Sequence, residues 1–341
     1  MQSILYKFER MNEALVDSFG RAISYLRLAV TDRCNLRCTY CMPKEGLNWL
    51  PRKELMTYEE MIRICSLFIE MGVTKIRITG GEPFVRRDLL PFLKTISEIS
   101  GLQELTLTTN GLLTRRFVPE LKQMGIRAVN LSLDTLDKNR FIQLTHRDEL
   151  GNVLKTLDAL LAHDIAVKIN TVVMENQNIA DIVPLVALTK SLPIRVRFIE
   201  EMPFHGGTHH ISLNWNYIRI FEHIQAHFPM LVKIPAPPHA TADQYQISGH
   251  QGDVGIIAAY TRSFCGACNR IRITPTGMLR TCLYEPGSLN IRDALRTGRT
   301  NQEIQKILTQ AILKKPQDGW QAQAMLSNQT QSHASMATIG G

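Results

Sequence analysis

Six short stretches alternate apolar and polar side chains with a period of two: YLRLAV (25–30), KIRI (75–78), ELTLTT (104–109), AVNLSL (128–133), AVKINTVV (166–173) and RVRFIE (195–200). That period predicts strands with one apolar face. Between them run stretches with apolar residues at helical spacing, such as TYEEMIRICSLFIEMG (57–72) and NVLKTLDALLAHD (152–164). Thr57 with Glu60 fits a capping box, and Gly72 fits a helix stop. Strands alternating with helices imply an α/β parallel sheet or barrel. After about residue 204 the pattern changes, and the Pro- and Gln-rich segment 234–253 reads as an irregular excursion. Short strands are expected again near 254–260, 270–274 and 278–283. From Ser327 the chain is small and polar, which by itself reads as a disordered tail ending in SHASMATIGG (332–341).

The alternation carries more than a strand count. Parallel strands covered by helices on both faces usually read as continuous apolar runs. Here Leu26, Leu28 and Val30 share one face with Arg27 on the other, and Ile76 and Ile78 oppose Lys75 and Arg77. Val129, Leu131 and Leu133 oppose Asn130 and Ser132; Val167 and Ile169 oppose Lys168 and Asn170; Val196 and Phe198 oppose Arg195 and Arg197. With helices on the apolar side, the polar side lines either the lumen of a barrel or an open, solvated sheet face. A lumen lined with Arg and Lys is costly unless an anion fills it.

Composition sharpens this. The net charge is +8, which suits either a solvated basic surface or an anionic ligand. The 341 residues, 44% hydrophobic, suffice for one barrel-sized domain or two smaller ones. No apolar run reaches the roughly 18–20 residues of a membrane span, and the first twenty residues show no apolar leader core. The expectation is a soluble cytoplasmic protein with no membrane partner. In such a reducing compartment the seven cysteines are more apt to bind metal or react than to pair.

Six of those cysteines form two triads. Cys34, Cys38 and Cys41 make a Cx3Cx2C run directly after the first strand, which in a βα barrel is the mouth where active sites sit. Cys265, Cys268 and Cys282 are spaced Cx2Cx13C. Three thiolates with a fourth position open suit an iron–sulfur cluster with one free iron. Zinc with a distant fourth ligand remains an alternative for the second triad. Cys65 lies in a helical apolar pattern and reads as a buried structural thiol.

The Cx3Cx2C run, followed by GGEP (80–83), resembles the radical S-adenosylmethionine superfamily. From about Tyr25 onward the chain resembles, more narrowly, the GTP 3′,8-cyclase family of molybdenum-cofactor biosynthesis. LRLAVTDRCNLRCTYCMP, IRITGGEP, LSLDTL, FCGACNRIRITPTGMLRTCL and the final GG carry that likeness, in the family's order. The resemblance implies an incomplete (β/α)6 TIM-like barrel over residues 23–233, with residues 1–22 as an N-terminal segment. A C-terminal α+β extension, 234–326, would carry the second cluster and close the barrel mouth, followed by a tail, 327–341.

It also implies roles. Cys34, Cys38 and Cys41 would hold a [4Fe–4S] cluster that binds S-adenosylmethionine, with Tyr40, Gly81, Ser132 and Met202 around that cofactor. Cys265, Cys268 and Cys282 would hold a second [4Fe–4S] cluster that contacts the guanine base of GTP. Arg27, Lys75, Arg77, Thr108, Lys168, Arg197, Arg270 and Arg272 would bind the nucleotide. The reaction would be radical attack of C3′ on C8 within GTP, giving (8S)-3′,8-cyclo-7,8-dihydroguanosine 5′-triphosphate. An external electron donor is implied without being identified. The product would pass to a downstream cyclic pyranopterin monophosphate synthase, and a homodimer is compatible with the pattern. The resemblance also reverses the reading of the tail: Gly340 and Gly341 would enter the active site and support catalysis. Two other readings compete. One is a different radical S-adenosylmethionine enzyme with an auxiliary cluster, such as a peptide-modifying enzyme. The other is a zinc-stabilised nucleic-acid-binding protein; the alternating cations and a 7% aromatic content speak against it, so no nucleic-acid partner is expected.

Overall fold

The six predicted strands form, each to within one residue at either end: β1 (Tyr25–Ala29), β2 (Lys75–Thr79), β3 (Glu104–Thr109), β4 (Ala128–Ser132), β5 (Ala166–Val173) and β6 (Arg195–Glu200). These come from a computed structural model that describes residues 15–204, 213–325 and 335–340. Beyond them lie β7 (Leu231–Ile234), β8 (Asp243–Ile247), β9 (Asp253–Ile257), β10 (Arg270–Ile273), β11 (Met278–Arg280) and β12 (Leu289–Asn290). All twelve join one mixed sheet in the order β12-β11-β10-β1-β2-β3-β4-β5-β6-β9-β8-β7. The run from β10 through β1–β6 to β9 is parallel, and an antiparallel pair of strands extends each end.

Helices connect the parallel strands, as βαβ crossovers require. The first, Tyr58–Glu70, starts at the expected capping box: Thr57 Oγ1 accepts from Glu60 N at 3.2 Å, and Glu60 Oε2 accepts from Thr57 N at 2.7 Å. It stops where Gly72 takes φ +98°, a left-handed turn that glycine enters without a steric penalty. The apolar strand positions lie under these helices: Leu26, Leu28, Ile76, Ile78, Val129, Leu131, Ile169, Val196 and Phe198 belong to one continuous buried core. Among the described residues no helix is long and apolar enough to cross a membrane.

One expectation is corrected. Segment 234–253 is not irregular throughout, because β8 runs through it, paired antiparallel to β7 and β9. Its sequence, DQYQI, hides the strand because Tyr245 and Ile247 share their face with Asp243 and the other face carries only Gln244 and Gln246. Gln244 is nonetheless buried, and Gln246 Nε2 donates to His250 O and Gly252 O, both at 3.0 Å, fastening the following turn. The strands near 270 and 278 are shorter than expected. The Pro275–Gly277 turn separates them, and β11 stops before Thr281, leaving Cys282 in a turn rather than in a strand.

Candidate active site

The polar face of the sheet opens on a cavity of about 340 Å³, within the range of small-molecule sites. Nine cationic side chains line it: Arg27, Lys75, Arg77, Lys168, Arg195, Arg197, Arg262, Arg270 and Arg272. Among the described residues no carboxylate shares that lining. Strand register explains the concentration. Tyr25 is level with Lys75 on one side and Arg270 on the other, and Arg27 is level with Arg77 and Arg272. Residues of equal parity on neighbouring parallel strands face the same way, so each strand adds its cation to the same space. All eight residues expected at the nucleotide, Thr108 included, line this cavity.

The electrostatic consequences are large. Burial, with Arg77 and Arg270 nearby and against an opposing pull from Tyr25, lowers Arg27 to about 10. Burial, with Arg77 and Arg195 nearby, lowers Arg197 to about 9. Burial, followed by Arg197, Lys75, Arg77 and Arg195, lowers Lys168 to about 8. Arg272 is likewise lowered strongly, by burial and by Arg27 and Arg270. Among the described residues, two of the nine are paired with carboxylates, Lys75 with Glu104 and Arg195 with Asp253. Among the same residues, buried polar atoms here also lack partners: Arg27 Nε, Arg77 Nε, Arg197 Nε, Thr108 Oγ1, Asn170 Oδ1 and the Tyr25 hydroxyl. Each unmade bond costs on the order of 1–3 kcal/mol. A polyanion with many acceptor oxygens supplies what this donor set lacks.

Cys265, Cys268 and Cys282 line the same cavity. Their surroundings are cationic. Arg270 Nη2 donates to Cys268 Sγ at 3.5 Å, and Lys315 Nζ lies 3.8 Å from the same sulfur. Burial alone would raise the Cys268 thiol, but Arg270 and Lys315 bring it down to about 6. Lys315 also donates to Arg270 O at 2.9 Å and to Thr281 O, tying together the two segments that carry the triad. From the other side Arg21 donates to Cys265 O at 3.1 Å, Gln317 O at 2.6 Å and Pro316 O at 2.7 Å.

The first triad sits in the loop after β1, outside that lining. Its environment is the opposite. Burial raises Cys34 to about 11 and Cys41 to about 12, and raises Cys38 strongly, with Glu82, Asp134 and the other thiols adding to burial. A thiol this hard to ionise gives up its proton only to a bound cation. Among the described residues no group of three His, Cys, Asp or Glu side chains forms a single-ion site. Three thiols per triad suit an iron–sulfur cluster, in which each thiolate takes its own iron.

Tyr40 donates to Asp134 Oδ2 at 2.9 Å, and Ser132 ends β4. Gly81 packs against the cysteine loop itself. A Cβ there would come 2.3 Å from Arg33 O, while Gly81 N donates to Thr31 O and Glu82 N to Arg33 O, both at 2.8 Å. Of the four residues expected around the cofactor, Met202 alone lines the cavity; Tyr40, Gly81 and Ser132 do not.

The last described residues join the two regions. Ser335 Oγ donates to Cys41 O at 2.6 Å, Met336 lines the cavity, and Arg272 Nη1 donates to Gly340 O at 2.6 Å. Gly341 lies outside the described residues.

Sequence reasoning passed over several groups. Glu82 is fully buried, and burial raises it to about 7 although Asn110 N, Thr109 Oγ1 and Phe84 N all donate to it. Asp134 is raised by burial to about 6. Both lie inside the motifs GGEP and LSLDTL, where a carboxylate among apolar residues was the available signal. Tyr25, Arg262 and Lys315 had none beyond the strand parity of Tyr25.

Residues 28–189 match the Radical SAM superfamily and residues 194–320 match Molybdenum Cofactor Synthesis C. The chain is 38% identical over 306 residues to a mitochondrial GTP 3′,8-cyclase of Arabidopsis thaliana, covering 89% of this chain and 78% of that one. It is 36% identical over 327 residues to GTP 3′,8-cyclase of Thermodesulfovibrio yellowstonii, covering 95% and 99%. Molybdenum cofactor biosynthesis protein 1 of Mus musculus is 40% identical over 302 residues; this chain covers 48% of its length. Among solved structures, Streptococcus suis SuiB bound to S-adenosylmethionine shares the fold, with a TM-score of 0.62 at 17% identity over 98% of this chain and 79% of that one. Identity to the Thermodesulfovibrio relative over essentially the whole of both chains makes this a member of the GTP 3′,8-cyclase family, within the radical S-adenosylmethionine superfamily.

Proposed function

We propose that this protein converts GTP to (8S)-3′,8-cyclo-7,8-dihydroguanosine 5′-triphosphate, the first step of molybdenum-cofactor biosynthesis. The observation that carries the reading is one cavity whose described lining has nine Arg and Lys side chains, no carboxylate, orphaned polar atoms and a thiol triad. Arg27, Lys75, Arg77, Thr108, Lys168, Arg197, Arg270 and Arg272 bind the nucleotide, the arginines as forks and the lysines as point charges. Cys265, Cys268 and Cys282 hold a [4Fe–4S] cluster on the substrate side; Cys34, Cys38 and Cys41 hold the other. Bound at the first triad, cluster and S-adenosylmethionine supply the 5′-deoxyadenosyl radical that takes the C3′ hydrogen.

The chain's own share is positional. Tyr40, Gly81, Ser132 and Met202 surround S-adenosylmethionine, with Gly81 letting the GGEP turn close on the cysteine loop. Gly340, which packs against Ala29 and Thr79, supports catalysis together with Gly341. Holding C3′ and C8 of one molecule in fixed proximity removes much of the entropic barrier.

The same reading takes in the architecture. Arg197 on β6 feels Arg27 and Tyr25 on β1, five strands away in the sheet order. A flat sheet would separate these strands by about 24 Å at about 4.8 Å per strand. That supports an incomplete (β/α)6 barrel over residues 23–233, with 234–326 closing its mouth. Seven free thiols fit a reducing compartment such as the cytoplasm. An external donor supplies the electrons, and the product passes to the enzyme that forms the pyranopterin.

The test is anaerobic reconstitution with iron and sulfide, then reductant and S-adenosylmethionine, following 5′-deoxyadenosine with and without GTP. The expected result is GTP-dependent 5′-deoxyadenosine together with a product of the same mass as GTP. One hydrogen atom leaves C3′, and one electron and one proton return. Cleavage indifferent to GTP would remove GTP as substrate while leaving the radical chemistry.

A further inference from the structure

Tyr25 stands at the first position of β1, its side chain in the cationic cavity. Three cations lie about its ring: Lys75 Nζ at 5.2 Å, Arg77 Cζ at 5.4 Å and Arg27 Cζ at 5.7 Å from the centroid. An aromatic face between like charges eases their repulsion, and phenylalanine would do that equally well. The hydroxyl is what needs explaining. It is buried and finds no acceptor among the described residues; Arg27, which approaches it, can only donate. Other tyrosines of this chain place theirs: Tyr40 on Asp134, Tyr58 on Arg87 O and Tyr284 on Ala259 O, at 2.8–2.9 Å. The charged groups around Tyr25 are Arg27, Lys75, Arg77 and Arg270, all donors without an acceptor atom. Among the described residues the phenol hydrogen has no acceptor, and Arg27, Arg77 and Arg270 have no carboxylate partner. A phosphate oxygen is both acceptor and anion.

We propose that Tyr25 is a further substrate-binding residue, its hydroxyl donating to a phosphate oxygen of the nucleotide. This rests on the reading of the cavity as the triphosphate site. The hydroxyl costs the unliganded protein an unmade bond and returns a charge-assisted one when phosphate arrives.

Tyr25→Phe separates this from a packing role, because the two predict opposite signs. Equilibrium binding to the reconstituted protein is measured with three probes: GTP, inorganic tripolyphosphate and guanosine. The expected result is about ten- to a hundred-fold weaker binding of GTP and tripolyphosphate, with guanosine unchanged. The thermal midpoint of the unliganded variant stays level or rises. Tripolyphosphate binding equal in Tyr25→Phe and wild type would overturn the proposal and leave the cavity's assignment standing. A fall in the unliganded midpoint would overturn it too, since the hydroxyl would then be engaged within the protein. Wild-type protein that binds neither GTP nor tripolyphosphate would instead sink the triphosphate site, and this proposal with it.

Discussion

Gly340 shows how much a single position decides. Its φ is +82°, and a Cβ would stand 2.8 Å from both Ala29 Cβ and Thr79 Oγ1. Gly340→Ala must therefore move a segment whose carbonyl is held by Arg272. Product formation is expected to fall on the order of 100-fold, as a displacement of about 1 Å beside reacting atoms does, with the thermal midpoint little changed. An equally active Gly340→Ala would show that the segment has room to spare. Lys168 gives a pH dependence with two signs. Its folded-state value, about 8, lies below the ordinary 10.5. Nucleotide affinity is expected to weaken as pH rises past about 8 and the ammonium is lost. Stability of the unliganded protein runs the other way: between these values the unfolded chain binds more protons, so stability rises with pH. Lys168→Met should flatten both curves, which equilibrium binding and denaturant titration at several pH values would show.

Among the elements, the helix Tyr58–Glu70 is the one most fully legible, since capping, apolar spacing and stop are local signals. Thr57→Ala is expected to cost about 1 kcal/mol, read as a lower denaturant midpoint at unchanged slope. β6 carries a less visible device. Glu200 at its end accepts from Tyr217 N, Tyr260 N, Thr261 N and Thr261 Oγ1 at 2.7–2.8 Å, pinning the helix Tyr217–His227 and the loop after β9 to one carboxylate. Removing it as Glu200→Ala leaves three backbone donors to find water, and a loss of about 3 kcal/mol is expected in the same titration. The six parallel strands could be read because one face is core and one is cavity, which produces the alternation. β8 could not, because one of its faces carries only glutamines and the other begins with an aspartate.

At the scale of the molecule, the two triads occupy opposite electrostatic settings: thiols beside Glu82 and Asp134 at the first, beside Arg270 and Lys315 at the second. They should load independently. A Cys265→Ser, Cys268→Ser, Cys282→Ser variant is expected to keep about half the iron and acid-labile sulfide and to lose cyclisation. Retention of all the iron in that variant would remove the second cluster from the account. The contacts that hold this arrangement reach across the chain: Arg21 to Pro316, 295 residues apart, and Ser335 to Cys41, 294 apart.

The sequence by itself determined what depends on period and spacing: six βα units, a cationic strand face, two cysteine triads and the motifs that mark the family. Those are properties of residues a few positions apart, and secondary structure translates them directly into faces and loops. Only the tertiary structure decided that the cations of five strands and one loop share one cavity, that Gly81 closes against the cysteine loop, and that Arg272 reaches Gly340. It also decided that the Tyr25 hydroxyl finds no acceptor among the described residues. Hydrogen-bond satisfaction is a property of every neighbour at once, and those neighbours come from β1, β2 and β10, which no local pattern brings together.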